Sequence, residues 1–200
     1  MPCLGITGGI ATGKTSFVRA VSGLIPAEVF DADQCSRELL MHDPQVKSEV
    51  RQHFGDDAFT GQGGVDRKKI REIVFRDTGK RKALEAVLHP RIRARWINLA
   101  SEAKKSREWL IIDIPLLFET HVEEYFSAIL VVACSSRNQI GRLVQTRNLD
   151  TEIALRMIAS QLELNVKMQK AGHVIWNDGS LTCLEDQAVL AADYLKKYHG

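Results

Sequence analysis

The sequence has few cysteines, no long apolar run and little net charge, and each shortage argues against a class of protein. Its four cysteines are Cys3, Cys35, Cys134 and Cys183. They form no Cys-x-x-Cys pair and lie at no metal-ligand spacing from histidines, which favours reduced thiols over disulfides or a metal site. No stretch approaches the roughly 18 apolar residues of a membrane-spanning helix. A net charge of +2 argues against a dominant nucleic-acid surface.

The chain also lacks internal repeats, low-complexity tracts and a linker rich in proline or serine. Its 200 residues suit one α/β domain with a small insertion. No signal peptide precedes the first apolar segment. We therefore expect a cytoplasmic monomer that contacts neither membranes nor nucleic acids.

A glycine-rich motif near the N-terminus carries the strongest functional signal. Gly8, Gly13, Lys14 and Thr15 satisfy the phosphate-loop spacing G-x-x-x-x-G-K-[ST]. Apolar residues before the motif predict a buried strand, and helical spacing after it predicts a helix. A plain turn joining strand to helix would not need the Lys-Thr pair. The residues predicted to bind the nucleotide here are Gly8, Gly9, Ile10, Ala11, Thr12, Gly13, Lys14, Thr15 and Ser16.

Each residue type in this loop has a separate role in binding phosphate. Glycines let the backbone take positive φ and approach the anion closely. Successive N–H groups then form a nest for the phosphate, reinforced by the helix N-terminus. Lys14 supplies a charge for the β- and γ-phosphates, and the Thr15 hydroxyl is placed to coordinate Mg²⁺.

Two predicted strands end in carboxylates. Asp31 ends a strand predicted over residues 26–31, and Asp33 lies two residues further on. The two acids are equally well explained as a helix N-cap at Asp33 or as ligand-binding groups. Asp113 ends a buried strand over 109–113, where an acid commonly belongs to the Mg²⁺ shell; a solvated strand end is the alternative. The apolar run 115–118 that follows is either core or the wall of a ligand pocket.

The middle of the chain is predicted to be helical. Helices are expected over 44–54 with Asp43 as cap, over 66–77, and over 79–107, where an interruption at Pro90 predicts either a kink or two abutting helices. His89 precedes that proline, which favours an extended or turn backbone there. A single histidine in such a place is more often structural than catalytic.

The last third of the chain predicts a lid and a closing helix. A strand over 128–133 leads into a helix over 137–145, and a break at 148–150 precedes another helix that ends at residue 164. Arg142 and Arg147 can reach the same phosphates only if the first helix ends between them; surface charge is the alternative. Asn177, after a strand over 171–176, reads equally well as an adenine contact or a turn residue.

Taken together, the motifs resemble the dephospho-CoA kinase family. They are Thr7-Gly-Gly-Ile-x-x-Gly-Lys-Thr15, Asp31-Ala-Asp33, Leu88-His-Pro90, Asp113-Ile-Pro-Leu-Leu-Phe-Glu119, Gln139-x-x-Arg142-Leu and Val174-Ile-x-Asn177-x-Gly-Ser180. The resemblance implies a three-layer α/β phosphate-loop kinase fold with a five-stranded parallel sheet. It implies a core over about 1–33, 108–142 and 170–200, a helical CoA-binding insertion over about 34–107, and a lid over about 142–165. The run from Arg142 to Arg147 is one residue longer than the family pattern.

The resemblance also implies a reaction: transfer of the ATP γ-phosphoryl group to the ribose 3′-hydroxyl of dephospho-CoA, with Mg²⁺ as cofactor. Carried over by position, Lys14, Asp33 and Arg142 are the expected catalytic residues, with Asn177 and Gly179 beside the adenine. The residues expected to bind the acceptor are Asp31, Asp33, His89, Pro115, Leu116, Leu117, Phe118 and Arg147. Thr15 and Asp113 are the expected metal ligands. Another small-molecule kinase is the alternative; a GTP-dependent switch is disfavoured because the chain has no Asn-Lys-x-Asp motif.

Overall fold

The computed structural model describes residues 3–61, 63–103, 108–147 and 149–199. The chain divides into two compact units, one formed by residues 1–30 and 100–200 and the other by residues 31–99. Within the described residues, no helix is both long and apolar enough to cross a membrane. Asn148 and residues 104–107, which belong to a predicted break and a predicted helix end, lie outside the described residues.

The first unit is organised around a five-stranded parallel sheet. Its strands are β1 (Cys3–Gly8), β2 (Ala27–Asp31), β3 (Trp109–Asp113), β4 (Ala128–Ala133) and β5 (His173–Trp176). They lie in the order β2-β3-β1-β4-β5. The register pairs Gly5 with Ile112 of β3 and with Ile129 of β4, all in parallel. The predicted five-stranded parallel sheet is confirmed, and β1 lies at its centre.

Helices connect and flank these strands. They are α1 (Lys14–Ser22), α2 (Ala32–His42), α3 (Pro44–Phe54), α4 (Arg67–Arg76), α5 (Thr78–Ala103), α6 (Ser136–Arg147), α7 (Thr151–Ala159), α8 (Leu164–Lys170) and α9 (Leu181–His199). Two short 3₁₀ turns occupy Asp56–Ala58 and Glu123–Tyr125.

The main core of the first unit packs the sheet against α1 and α9. Its members include Leu4, Ile6, Phe17, Val21, Trp109, Ile111, Leu130, Val132, Leu184 and Leu195. β1 and β3 are buried along their whole length, as central parallel strands are expected to be. Burying each large aliphatic side chain stabilises the fold by about 1.5–3 kcal/mol. This packing fixes the carboxyl ends of β1 and β3, where the phosphate loop and Asp113 lie.

Two predictions about the second unit were wrong in their local details. Asp31, not Asp33, caps α2: its side chain accepts a hydrogen bond from Gln34 N at 2.9 Å, so Asp33 falls in the first turn of the helix. α5 runs through Pro90 without ending, and His89 is therefore helical. Arg91 of α5 forms a bidentate ion pair with Glu49 of α3, with N···O distances of 2.6 and 3.1 Å. We infer that such contacts hold the proline-containing turn in helical form.

The predicted α3 was confirmed, because Asp43 caps it through Gln45 N and Val46 N with Pro44 at the first position. The predicted end of the helix after the break was wrong. α7 ends at Ala159, before the predicted residue 164, and a separate helix that the sequence did not predict, α8, occupies Leu164–Lys170.

Candidate active site

The phosphate loop joins β1 to α1 through backbone with positive φ at two residues, one of them a glycine. Gly13 has φ of 92° and Ala11 has φ of 58°. A Cβ on Gly13 would overlap the side-chain amide of Asn177, and one on Gly8 would overlap the carbonyl of Val132 in β4. Close packing therefore requires glycine at both positions, and at Gly13 the positive φ requires it as well.

Lys14 and Asp113 meet at the carboxyl ends of β1 and β3. The Lys14 ammonium donates a hydrogen bond to Asp113 Oδ1 and forms an ion pair with it. Their side chains are only 13% and 9% exposed, respectively. Thr15 and Ser16, the next residues of α1, are exposed. The ends of β1 and β3 and the start of α1 therefore bring together a cation, a carboxylate and two hydroxyl-bearing residues at one edge of the sheet.

Arg142 and Asn177 hold the loop from the side of β4 and β5. The Arg142 guanidinium donates to the carbonyls of Thr12 at 3.1 Å, Ala11 at 3.3 Å and Asn177 at 2.7 Å. Asn177 is buried, and its Nδ2 donates to the Thr12 carbonyl at 2.8 Å. In this structure both side chains are engaged with loop carbonyls, and Asn177 is more than a turn residue.

Two glutamines hold the peptide groups of Ile10. Ile10 N donates to Gln161 Oε1 at 2.9 Å, and Gln139 Nε2 donates to the Ile10 carbonyl at 2.8 Å. Gln139 comes from α6 and is buried, whereas Gln161 lies in the connection between α7 and α8. Gln161 thus links the predicted lid segment to the phosphate loop, and Gln139 contacts the same residue from α6.

Lys167 and Glu119 complete the surroundings of the loop. Lys167 of α8 is fully buried, and its ammonium group lies 2.8 Å from Glu119 Oε1. Glu119 Oε1 also accepts a hydrogen bond from Leu162 N at 3.0 Å. Neither residue was expected to serve the site, although Glu119 closes one of the family motifs. Lys167 gave no local signal, because a lysine in a short helix ordinarily lies at the surface.

Arg147 and Arg142 point to different sides of one helix. Both residues belong to α6, so at about 100° per residue they point in directions roughly 140° apart. Arg147 is exposed. The hypothesis that the helix ends between the two arginines is therefore wrong, while the predicted contact of Arg147 with the acceptor stays a prediction.

The segment after β3 is partly core. Leu117 and Phe118 are buried, at 0% and 1% exposure, while Pro115 and Leu116 are half-buried. Gly179 lies exposed in the turn after β5. Their predicted contacts with acceptor and adenine stay predictions.

The remaining predicted acceptor-binding residues belong to the second unit. Asp33 is exposed in the first turn of α2, and Asp31 is occupied as the helix cap, with Arg37 3.9 Å away. His89 is half-buried in α5, and burial lowers its pKa because it disfavours the charged imidazolium, although the charge of Glu85 opposes the shift. The roles of these three residues in the reaction stay predictions.

The geometry around residues 8–16 defines the class of protein to which the chain belongs. A parallel strand, a glycine loop with positive φ, a helix beginning at Lys14 and a carboxylate at the neighbouring strand end are the parts of a phosphate-loop nucleotide-binding protein. Comparison with known proteins narrows this class. A family model described as "Dephospho-CoA kinase" matches residues 2–182. The chain belongs to the dephospho-CoA kinase family, and the match makes it a kinase.

Individual relatives agree with the family match. A dephospho-CoA kinase from Listeria monocytogenes is 34% identical over 188 residues, covering 93% of each chain. One from Gloeobacter violaceus is 36% identical over 193 residues, covering 95% of this chain and 91% of its own. A crystal structure from Thermus thermophilus superposes with a TM-score of 0.78 at 28% identity, over 100% of this chain and 98% of that one. The dephospho-CoA kinase of Campylobacter jejuni, at 24% identity, shares the fold with a TM-score of 0.72, over 98% and 97%.

Proposed function

We propose that this chain transfers the γ-phosphoryl group of ATP to the 3′-hydroxyl of the ribose of dephospho-CoA, giving CoA and ADP. The observation that carries this proposal is the family match over residues 2–182, which includes the whole phosphate loop. The loop geometry supports it, since Lys14 and the start of α1 form an anion-binding site of the kind used for triphosphates.

In this proposal the loop grips the triphosphate. N–H groups of the loop and of the first turn of α1 bind the phosphates, with that of Ile10 leaving Gln161 Oε1, and Lys14 moves from Asp113 to the β- and γ-phosphate oxygens. Phosphoryl transfer has a loose transition state, so positioning and charge neutralisation provide most of the rate. Arg142 acts by fixing the carbonyls of Ala11 and Thr12, which sets the direction of the neighbouring amides.

Asp33 is proposed to serve the acceptor. Its carboxylate orients the 3′-hydroxyl in line with the bond between the γ-phosphorus and the bridging oxygen of ATP. As that bond breaks and the new P–O bond forms, the hydroxyl proton passes to Asp33 and ADP leaves with the bridging electrons. The exposed position of Asp33 at the start of α2 leaves it accessible to a sugar hydroxyl.

Thr15 and Asp113 are proposed to hold Mg²⁺ together with the phosphates. No group of three or more His, Cys, Asp or Glu side chains able to hold a metal occurs among the described residues. That fits a metal bound by one or two side chains, substrate phosphates and water. The donor set is suitable, because a hydroxyl and a carboxylate are hard oxygen ligands. Bound there, Mg²⁺ would neutralise charge on the β- and γ-phosphates.

An ADP-release assay tests the function directly. The full chain is incubated with ATP and Mg²⁺, with dephospho-CoA, with shikimate, with a nucleoside or with no acceptor, and CoA formation is followed by mass spectrometry. We expect ADP release only with dephospho-CoA, in equal amounts to CoA. Faster turnover with shikimate or a nucleoside would instead show another small-molecule kinase. If the chain bound GTP more tightly than ATP and turned over none of these acceptors, a switch protein would be favoured.

We also propose that the enzyme acts as a monomer in the cytoplasm. Three of its four free cysteines, Cys3, Cys35 and Cys134, are buried, and burial raises the pKa of the Cys35 and Cys134 thiols. Such thiols react slowly and suit a reducing compartment. Light scattering of the purified chain at micromolar concentration gives its molar mass and so tests whether it is a monomer.

A further inference from the structure

Lys167 is a buried charge that the reaction proposed above does not use. Among the described residues, it and Asp113 are the charged side chains that the fold buries, and Lys167 is 0% exposed. Burying an ammonium group is strongly unfavourable unless the group is paired and hydrogen-bonded. Its position in α8 therefore needs an explanation from its partners.

Those partners lie at two strand ends. Lys167 Nζ donates hydrogen bonds to the carbonyls of Pro115 at 2.9 Å and Gly8 at 3.4 Å, and it forms an ion pair with Glu119 Oε1 at 2.8 Å. Two carbonyls and one carboxylate therefore compensate the buried ammonium group. Gly8 ends β1 and begins the phosphate loop, whereas Pro115 follows the end of β3 at Asp113.

We propose that Lys167 is a positioning residue for phosphoryl transfer, which fixes the separation between the phosphate loop and the segment Asp113–Glu119. The inference rests on the proposed function, because it concerns the rate of that reaction. Lys167 acts through the protein, since its hydrogens go to protein oxygens. It joins the two strand ends that the Lys14–Asp113 ion pair also joins.

Neighbouring contacts show why an apolar side chain would not replace it. The Pro115 carbonyl also accepts a hydrogen bond from Thr7 Oγ1 at 3.1 Å, so β1 and the segment after β3 are joined twice at this carbonyl. Glu119 has its other oxygen, Oε2, buried without a hydrogen-bond partner among the described residues. Without Lys167, the carboxylate of Glu119 would lose its ion-pair partner and the segment after β3 would shift.

The test compares Lys167→Met with Lys170→Met in the full chain. Methionine keeps a similar length without the charge. Lys170 is the matched control, because it lies on the same helix, is 46% exposed and pairs with Glu123 at 3.4 Å. Thermal unfolding by circular dichroism gives the temperature at which every variant is folded. At that temperature we measure kcat and KM by ADP release, and ADP affinity by calorimetry without acceptor.

We expect kcat of Lys167→Met to fall by about a hundredfold, as for a misplacement of about 1 Å at reacting groups. We expect ADP binding to weaken by about tenfold, because a charged hydrogen-bond network around the loop is lost. Lys170→Met should match the wild type in both. A residue that only stabilises the fold would lower the unfolding temperature and leave kcat per folded molecule unchanged.

The positioning role would be overturned if the kcat of Lys167→Met stayed within about twofold of the wild type, because misplacement is expected to lower kcat much more than that. If the Met variant does not fold, Lys167→Arg takes its place, because a planar guanidinium keeps the charge but cannot reproduce both the two carbonyl hydrogen bonds and the ion pair with Glu119. Its kcat should then fall at least tenfold, and a wild-type kcat would contradict the role. Inactivity of the wild type with dephospho-CoA would contradict the proposed function instead, so the two failures are distinguishable.

Discussion

The Lys14 ammonium and the Asp113 carboxylate form an ion pair at the carboxyl ends of β1 and β3. Removing Lys14 leaves a poorly exposed carboxylate without that partner and removes the cation that the β- and γ-phosphates need. We expect Lys14→Ala to abolish CoA formation in the ADP-release assay and to weaken ATP binding. Arg19→Ala, an exposed cation on the same helix, is the control and should keep wild-type turnover. Retained turnover in Lys14→Ala would remove Lys14 from the reaction.

A second prediction separates ATP binding from transfer. Asp33→Asn keeps the shape of the side chain but cannot accept the hydroxyl proton, so we expect no CoA formation with ATP affinity unchanged. ATP affinity is measured by calorimetry, and CoA formation by mass spectrometry. Asp57→Asn, an exposed carboxylate in the same unit, should turn over normally. Near-normal turnover of Asp33→Asn would show that another group handles the proton.

A third prediction distinguishes the two arginines of α6. Arg142 makes three hydrogen bonds to carbonyls around the phosphate loop, and lysine cannot reproduce this planar arrangement. We expect Arg142→Lys to raise KM for ATP and lower kcat, together by tenfold or more in kcat/KM, from the loss of hydrogen bonds to a charged group. Arg147→Ala should leave both constants near the wild type. A strong effect of Arg147→Ala would instead support the predicted contact of Arg147 with the acceptor.

Local sequence signals were enough for the sheet and the phosphate loop. Continuous apolar runs predicted β3 and β4 at the bounds that the structure shows, and the glycine spacing predicted the loop between β1 and α1. These elements depend on neighbouring residues, so a pattern of a few letters is sufficient. The prediction that Asp33 caps α2 failed because Asp31 and Asp33 are both good cap residues, and only the backbone geometry decides which of them caps the helix.

The contacts behind the loop could not be read from spacing. Gln161 lies 151 positions from Ile10, and Lys167 lies 159 positions from Gly8. Such pairs depend on how α7 and α8 pack on the sheet, and a single chain carries no local trace of that packing. Arg142 was identified through the family motif, but its carbonyl partners became visible only in the folded structure.

A fourth prediction uses two glycines with opposite surroundings. Gly13 has positive φ and no room for a Cβ beside Asn177, whereas Gly141 lies in α6 with no atom outside its own helix backbone within 4 Å of the position that a Cβ would take. Gly13→Ala should cost about 1–2 kcal/mol from backbone strain alone and should impair ATP binding. Gly141→Ala should stabilise by about 1 kcal/mol, a rise of roughly 2–4 °C in Tm. Equal melting temperatures for the two variants would contradict the loop geometry.

A fifth prediction concerns pH and His89. Burial holds its pKa in the folded protein below the ordinary value of 6.5, so near that pH the unfolded chain binds more protons than the folded one. The free energy of unfolding should therefore fall as the pH drops through 6.5 towards the folded pKa, and change no further below it. His89→Gln should remove this part of the pH dependence.

The measurement is thermal unfolding of the wild type and His89→Gln between about pH 7.5 and pH 5, beside an NMR titration of the imidazole. The difference between the two melting curves should grow on acidification, with the wild type losing more stability than the variant. A His89 resonance that titrates above 6.5 would reverse the sign. It would mean that the charge of Glu85 outweighs burial and that protonation of His89 stabilises the fold.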